Sequence, residues 1–373
     1  MSPPPLSAMV LAAGEGTRMR SSRPKPLHLL CGRAMVLHIL DAVADLSLDR
    51  AVVVVGHSAE RVTKKLLDDA PPGLAGSIEF VEQTVQRGTG DAVAVGLTAF
   101  AGGDALGDDD GEDGDIIVTP GDTPLLRAQT LASLVQAHRQ ADAACTVLTA
   151  VVDDPTGYGR IVRGKDGRVR RIVEHRDATD EERAIDEINT GVFCFRRSVL
   201  APALRRLNPD NDQGEYYLTD VISVLHDAGY NVVTMVAADP METAGVNDRA
   251  QLAVAEAELR DRINDRWMLS GVTMIDPERT YVDATVQLAR DVTLFPGVVL
   301  QGDTVIDAGA EIGPDSRLVD THVGEGAVVE NTVSRLADIG AGAHVGPFAD
   351  LRPGARVTPG TVTGAFYRGD AEE

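Results

Sequence analysis

Four residues within one short segment have the types and spacing to handle a phosphate. Gly14, Gly16, Arg18 and Lys25 fall in MVLAAGEGTRMRSSRPKPLHLL, residues 9–30. The turn Ala12-Ala13-Gly14-Glu15-Gly16-Thr17 carries little side-chain bulk. Backbone N–H groups in such a turn can close on an anion. Arg18 offers a planar fork and Lys25 a compact point charge, so two different cations can converge on one phosphate. This is the equipment for holding a nucleoside triphosphate and stabilising charge at the phosphorus being transferred. A Gly-x-Gly taken singly marks an ordinary strand-to-helix turn. That blander reading leaves both cations unexplained, in a chain whose lysines are Lys25, Lys64, Lys65 and Lys165 alone.

Elements must position these residues. An apolar strand over Ala8 to Leu11 feeds the turn, and strands and helices then alternate to about residue 150. Ala51 to Val55 is a β-branched run suited to a strand buried on both faces. Ile78 to Val81, Asp115 to Thr119 and Ala144 to Val151 read as further strands. Helices are expected near Ser58 to Leu67, after Thr89 and over Ala128 to Arg139. The alternation predicts an α/β fold with a mostly parallel, doubly wound sheet, whose ligands lie beyond the carboxyl ends of the strands. The Gly14 turn and the turn after Thr119 both sit at such ends.

Residues 247–268 predict a long helix, and after Gly271 the texture changes. Leu294, Leu300, Ile306, Ile312 and Leu318 recur every six residues, and so do Ile339, Val345, Leu351 and Val357. Gly, Asp, Ala and Pro fill the turns between them. A period of six predicts a parallel β-helix of hexapeptide repeats, about five coils long.

Composition narrows the class. The chain has 373 residues, enough for two domains, and a formal net charge of −22. Such a charge disfavours nucleic acid as a partner but not a small anion that meets the basic first loop. The acidic run 104–115 reads as a solvated loop rather than a metal site. Cys31, Cys145 and Cys194 show neither metal spacing nor a disulfide framework, which suits a cytoplasmic protein. No apolar run reaches the ~18 residues of a membrane span, and the N-terminus lacks a signal peptide's pattern.

The first loop resembles the signature L-x-x-G-x-G-T-R-M…P-K of the sugar-phosphate nucleotidylyltransferases, and differs from Walker A and dinucleotide loops. Further motifs follow in order: Gln83 with Gly88-Thr89-Gly90, Pro120-Gly121-Asp122, Gly157-Tyr158-Gly159-Arg160, Ile172-Val173-Glu174, Glu187-Ile188-Asn189, Gln213-Gly214-Glu215-Tyr216-Tyr217-Leu218-Thr219-Asp220 and Gly245-Val246-Asn247. Together they resemble the bacterial bifunctional family of N-acetylglucosamine-1-phosphate uridylyltransferase/glucosamine-1-phosphate acetyltransferase, over roughly residues 6–355. The resemblance implies a Rossmann-like nucleotidyltransferase domain at 1–246, a linker helix at 247–269 and a short left-handed parallel β-helix at 270–373.

It also implies roles. Arg18 and Lys25 would be catalytic. Leu11, Ala12, Ala13, Gly14, Gly121 and Asp122 would hold the nucleotide. Gln83, which can both donate and accept, would read the edge of uracil, with Gly88 and Thr89 against base and ribose. Gly159, Glu174, Asn189 and Asn247 would line the sugar pocket. Asp122 and Asn247 would hold Mg²⁺, a hard ion that favours oxygen ligands. The substrates would be UTP and the sugar-1-phosphate, and the assembly a homotrimer.

The resemblance thins towards residue 373. Arg352 matches an acetyltransferase-site arginine, but the residues expected after Gly364-Ala365-Phe366 have no positions in this sequence, so acetyl transfer is expected to be absent. Pro26, Pro120 and Asp91 stand where relatives often carry Val, Tyr and His. Two other readings stay open at this point: the same chemistry on another sugar- or cyclitol-1-phosphate or another NTP, and a non-catalytic oligomeric scaffold.

Overall fold

The computed structural model describes residues 4–100 and 113–371. The expectation for the acidic run therefore lies largely outside the described residues. The chain divides into two compact units. One comprises Met1–His28 with Ala34–Gln251, the other Leu29–Arg33 with Leu252–Glu373. The division falls inside the long helix, Arg249–Leu269, rather than at either of its ends.

The first unit is built on a nine-stranded sheet. Its main path runs Val232–Val236, Cys145–Val151, Glu187–Arg196, Asp115–Pro120, Leu6–Ala12, Arg50–Val55, Ile78–Glu82. The last four are mutually parallel, as the strand–helix alternation predicts. Glu187–Arg196 departs from that pattern and pairs antiparallel with both of its neighbours on the path. Antiparallel Arg160–Arg163 and Val169–Val173 extend from it.

Alternate residues of each central strand enter different cores. Met9, Val52, Val54, Val118 and Phe193 pack on one face. Ala8, Val10, Val53, Val55, Ile117 and Cys194 pack on the other. The period of two explains why Ala51 to Val55 is apolar throughout: both faces of that strand are covered. All three cysteines are buried and free.

The second unit is a left-handed parallel β-helix of short strands in three sheets. Leu294, Leu300, Ile312, Leu318, Ile339 and Val345 are fully buried along its axis. The structure explains why the six-residue beat breaks into two runs. Val299 pairs with Arg317, eighteen residues on, but Arg317 pairs with Val333, sixteen on. Corners lose a residue in that coil, and Val323, Val329 and Ser334 carry the inward positions between the two runs. Tightened corners expose backbone to the interior, and buried hydroxyls answer it. Ser316 Oγ accepts from Thr332 N–H at 3.1 Å, and Thr321 and Ser334 hydroxyls meet at 2.9 Å. The helix packs Ile263 and Trp267 against this core, and Asn264 donates to the carbonyls of Pro277 and Thr280. No helix of the described residues is long and apolar enough to cross a membrane.

Candidate active site

The carboxyl ends of three parallel strands open into a cavity of about 560 Å³. Leu11, Ala12, Ala13, Gly14, Gln83, Gly88, Thr89, Gly121 and Asp122 all line it, together with Lys25. Leu11 pairs with Pro120 and Ala12 with Val55, so the sheet itself sets the first turn beside the Gly121 turn. Gly121 N–H bonds the Leu11 carbonyl at 2.8 Å and closes that junction.

Two glycines are required by their surroundings. Gly16 has φ of 66°, and a Cβ there would lie 2.5 Å from the Lys25 Cβ, so the lysine could not approach the turn. Gly88 has φ of 106° and sits against Glu215 and Tyr216. There Gly90 N–H bonds the Tyr216 carbonyl and Leu218 N–H bonds the Thr89 hydroxyl, which clamps the two loops together. Gly14 is different. A Cβ on it would meet nothing within 4 Å, so its small size keeps the cavity open rather than relieving the backbone.

Arg18 and Asn247 do not line the cavity but join it through Lys25. Lys25 Nζ forms an ion pair with Asp122 Oδ2 and donates to Asn247 Oδ1 at 2.8 Å. Arg18 donates to the same Asn247 oxygen at 2.9 Å. Val246 N–H bonds the Asp122 carbonyl at 2.8 Å, and Arg249 donates to the Met19 carbonyl, so residues up to 230 positions apart in sequence are held as one cluster. Asp122 and Asn247 thus place two hard oxygen donors around one cation. Among the described residues no three His, Cys, Asp or Glu side chains form a metal-binding group. One carboxylate and one carboxamide fit a divalent ion that takes its remaining ligands from water and substrate phosphates.

Gly159, Glu174 and Asn189 form a second group. A Cβ on Gly159 would lie 3.5 Å from Asn189 Cβ and 3.6 Å from Glu174 Oε1, and Asn189 N–H bonds the Gly159 carbonyl at 2.9 Å. Glu174 accepts from the Thr219 hydroxyl at 2.9 Å. Burial pushes the Glu174 carboxyl above its ordinary range against that bond, helped by Asp220 and Asp177. Gly191, two residues beyond Asn189, stands against Pro120 of the cavity wall.

Sequence reasoning missed Gln86 and Thr219. Gln86 lines the cavity and donates to the Ala13 carbonyl at 2.7 Å. Its only signal was its place between Gln83 and Gly88. Thr219 lay inside a quoted stretch of motif, but nothing local marks it as the partner of a carboxyl 45 residues earlier.

Comparison with known proteins agrees with this geometry. The profile of the nucleotidyl transferase family matches residues 7–267. The protein named bifunctional protein GlmU from Streptomyces avermitilis is 49% identical over 363 residues, covering 97% of this chain and 73% of that protein. The same-named protein of Thermobifida fusca is 49% identical, covering 90% of this chain and 67% of its own length. That of a Geobacillus species is 42% identical, covering 96% and 74%.

Proposed function

Because the chain belongs to the nucleotidyl transferase family, within the group that includes the bifunctional GlmU proteins, we propose that it transfers the uridylyl group of UTP to N-acetylglucosamine-1-phosphate. The products are UDP-N-acetylglucosamine and pyrophosphate. The observation that carries the reading is the meeting of Lys25, Arg18, Asp122 and Asn247 beside a cavity lined by Gly14 and Gln83.

A phosphate oxygen of the sugar-1-phosphate attacks the α-phosphorus of UTP in line. The bond between that phosphorus and the α,β-bridging oxygen breaks, and pyrophosphate takes the electron pair. No protein nucleophile is needed, so catalysis lies in positioning and charge stabilisation. The 12–17 turn supplies backbone N–H groups to the triphosphate. Lys25 and Arg18 turn from Asp122 and Asn247 to the phosphate oxygens, where negative charge grows. Gln83, Gly88 and Thr89 hold base and ribose. Gly159, Glu174 and Asn189 bond the sugar hydroxyls and acetamido group. Asp122 and Asn247 would hold Mg²⁺, which supplies a Lewis acid for the phosphate oxygens when bound. The assembly is a homotrimer.

A pyrophosphate-release assay across UTP, TTP, GTP, CTP and ATP, with a panel of sugar-1-phosphates, tests this. The highest kcat/KM is expected with UTP and N-acetylglucosamine-1-phosphate. A clearly better pair would reassign the substrate, and turnover that persisted in EDTA would overturn the metal assignment.

A further inference from the structure

Gln83 is only 4% exposed, and both ends of its carboxamide can be accounted for. Nε2 donates to Asp91 Oδ2 at 2.8 Å and to the Gly88 carbonyl at 3.3 Å. A carboxylate and a backbone carbonyl are acceptors only. The two ends of a carboxamide have nearly the same shape, so fixed neighbours decide which end faces where. Turning Gln83 over would set its oxygen against both acceptors. Both N–H groups are therefore engaged, and Oε1 accepts from nothing among the described residues. Gln83 lines the cavity, whereas Asp91 is absent from its lining. Asp91 lies in the first turn of the Thr89–Gly96 helix, where the helix dipole favours a negative side chain.

We infer that Asp91 is a positioning residue that presents the oxygen end of Gln83 to the nucleobase and so selects a base with an imide N–H, uracil over cytosine. The inference rests on the reading of this cavity as a nucleoside triphosphate site. Uracil carries a donor, N3–H, between two carbonyl acceptors. Cytosine carries a lone pair at N3 and an amino group at C4. An acceptor held at the base edge bonds the imide N–H, but meets the cytosine N3 lone pair with a second lone pair. In a buried site that mismatch cannot be relieved by water, so it discriminates strongly. A carboxylate holds Gln83 in this way more firmly than a neutral amide, because it cannot itself turn over to become a donor.

The test is kcat and KM for UTP and for CTP, at fixed sugar-1-phosphate and Mg²⁺, in the wild type, Asp91→Leu and Asp91→Asn. Melting followed by circular dichroism reports folding. A wild type that does not prefer UTP would overturn the site reading and this inference with it. Given that preference, Asp91→Leu should lower the UTP/CTP ratio of kcat/KM by about tenfold or more. The loss should come mainly as a higher KM for UTP, with kcat less affected. Asp91→Asn keeps an acceptor on one of its two faces and should lower the ratio by less. If Asp91→Leu does not fold, Asp91→Asn decides alone. An unchanged ratio in the folded variants, or an equal loss with both nucleotides, overturns the role of Asp91 while the proposed function stands.

Discussion

Lys25 is held by two oxygens rather than one, and its side chain is 13% exposed. Charge this confined needs little rearrangement to meet a phosphate, which is where preorganised cations are most effective. Lys25→Ala should therefore lower kcat/KM by about 100-fold or more while leaving the melting curve near that of the parent. Near-parental turnover would remove Lys25 from the mechanism. Glu174 gives a pH-dependent prediction. Its carboxyl is raised by burial, so between the ordinary carboxylate value and the raised one the folded state keeps a proton that the unfolded chain has released. Its contribution to stability is thus present at low pH and is lost as pH rises through the raised value. Glu174→Gln mimics the neutral form without titrating. It should melt above the parent at pH 8, with the gap closing as pH falls towards the ordinary carboxylate range, and with weaker sugar binding throughout. A gap that is the same at every pH would contradict the assignment.

At the scale of elements, the β-helix shows how a repeat absorbs an irregularity. Apolar side chains at every sixth position define the prism, but the coil between the two runs is two residues short. The shorter corners turn backbone N–H groups inward, where the Ser316 hydroxyl receives that of Thr332. Both residues are 0% exposed. Ser316→Ala leaves a buried donor without its partner and should cost about 1–3 kcal/mol. Thermal or urea unfolding would measure it, and a value within experimental error of zero would show that the hydroxyl is dispensable. Ser334 looks like a break in the repeat when read in sequence, and Ser316 like an ordinary turn residue. Folded, they are what lets the repeat continue.

For the whole molecule, the expected assembly is a trimer. Short coils of parallel strands offer flat faces that copies of the same chain can bury, and closed cyclic symmetry satisfies every such face at once. Tyr281, Val305 and Val333 are outward-facing apolar residues on these sheets. Light scattering should give about three times the 39.5 kDa chain mass, and a clean monomer would reject it.

Sequence by itself determined the parts whose physical cause is local. A turn of small residues followed by two cations announces a phosphate site, because backbone amides need only space and a positive neighbour. An all-apolar β-branched run announces a doubly covered strand, and a beat of six announces a prism. Gly14 was legible for the first of these reasons, whereas Gly88 and Asp122 were marked only by the resemblance of motifs that kept their order. Tertiary structure decided what depends on distance through space. It set Asn247 on Lys25 across 222 positions of sequence, and it gave Glu174 a hydroxyl partner and a raised carboxyl. It reversed Glu187–Arg196 within the sheet, because pairing direction depends on the whole path of the chain and not on the strand's own residues. It also oriented Gln83. A carboxamide has the same composition whichever way it faces, and only the two acceptors packed behind it choose the end that reads the ligand.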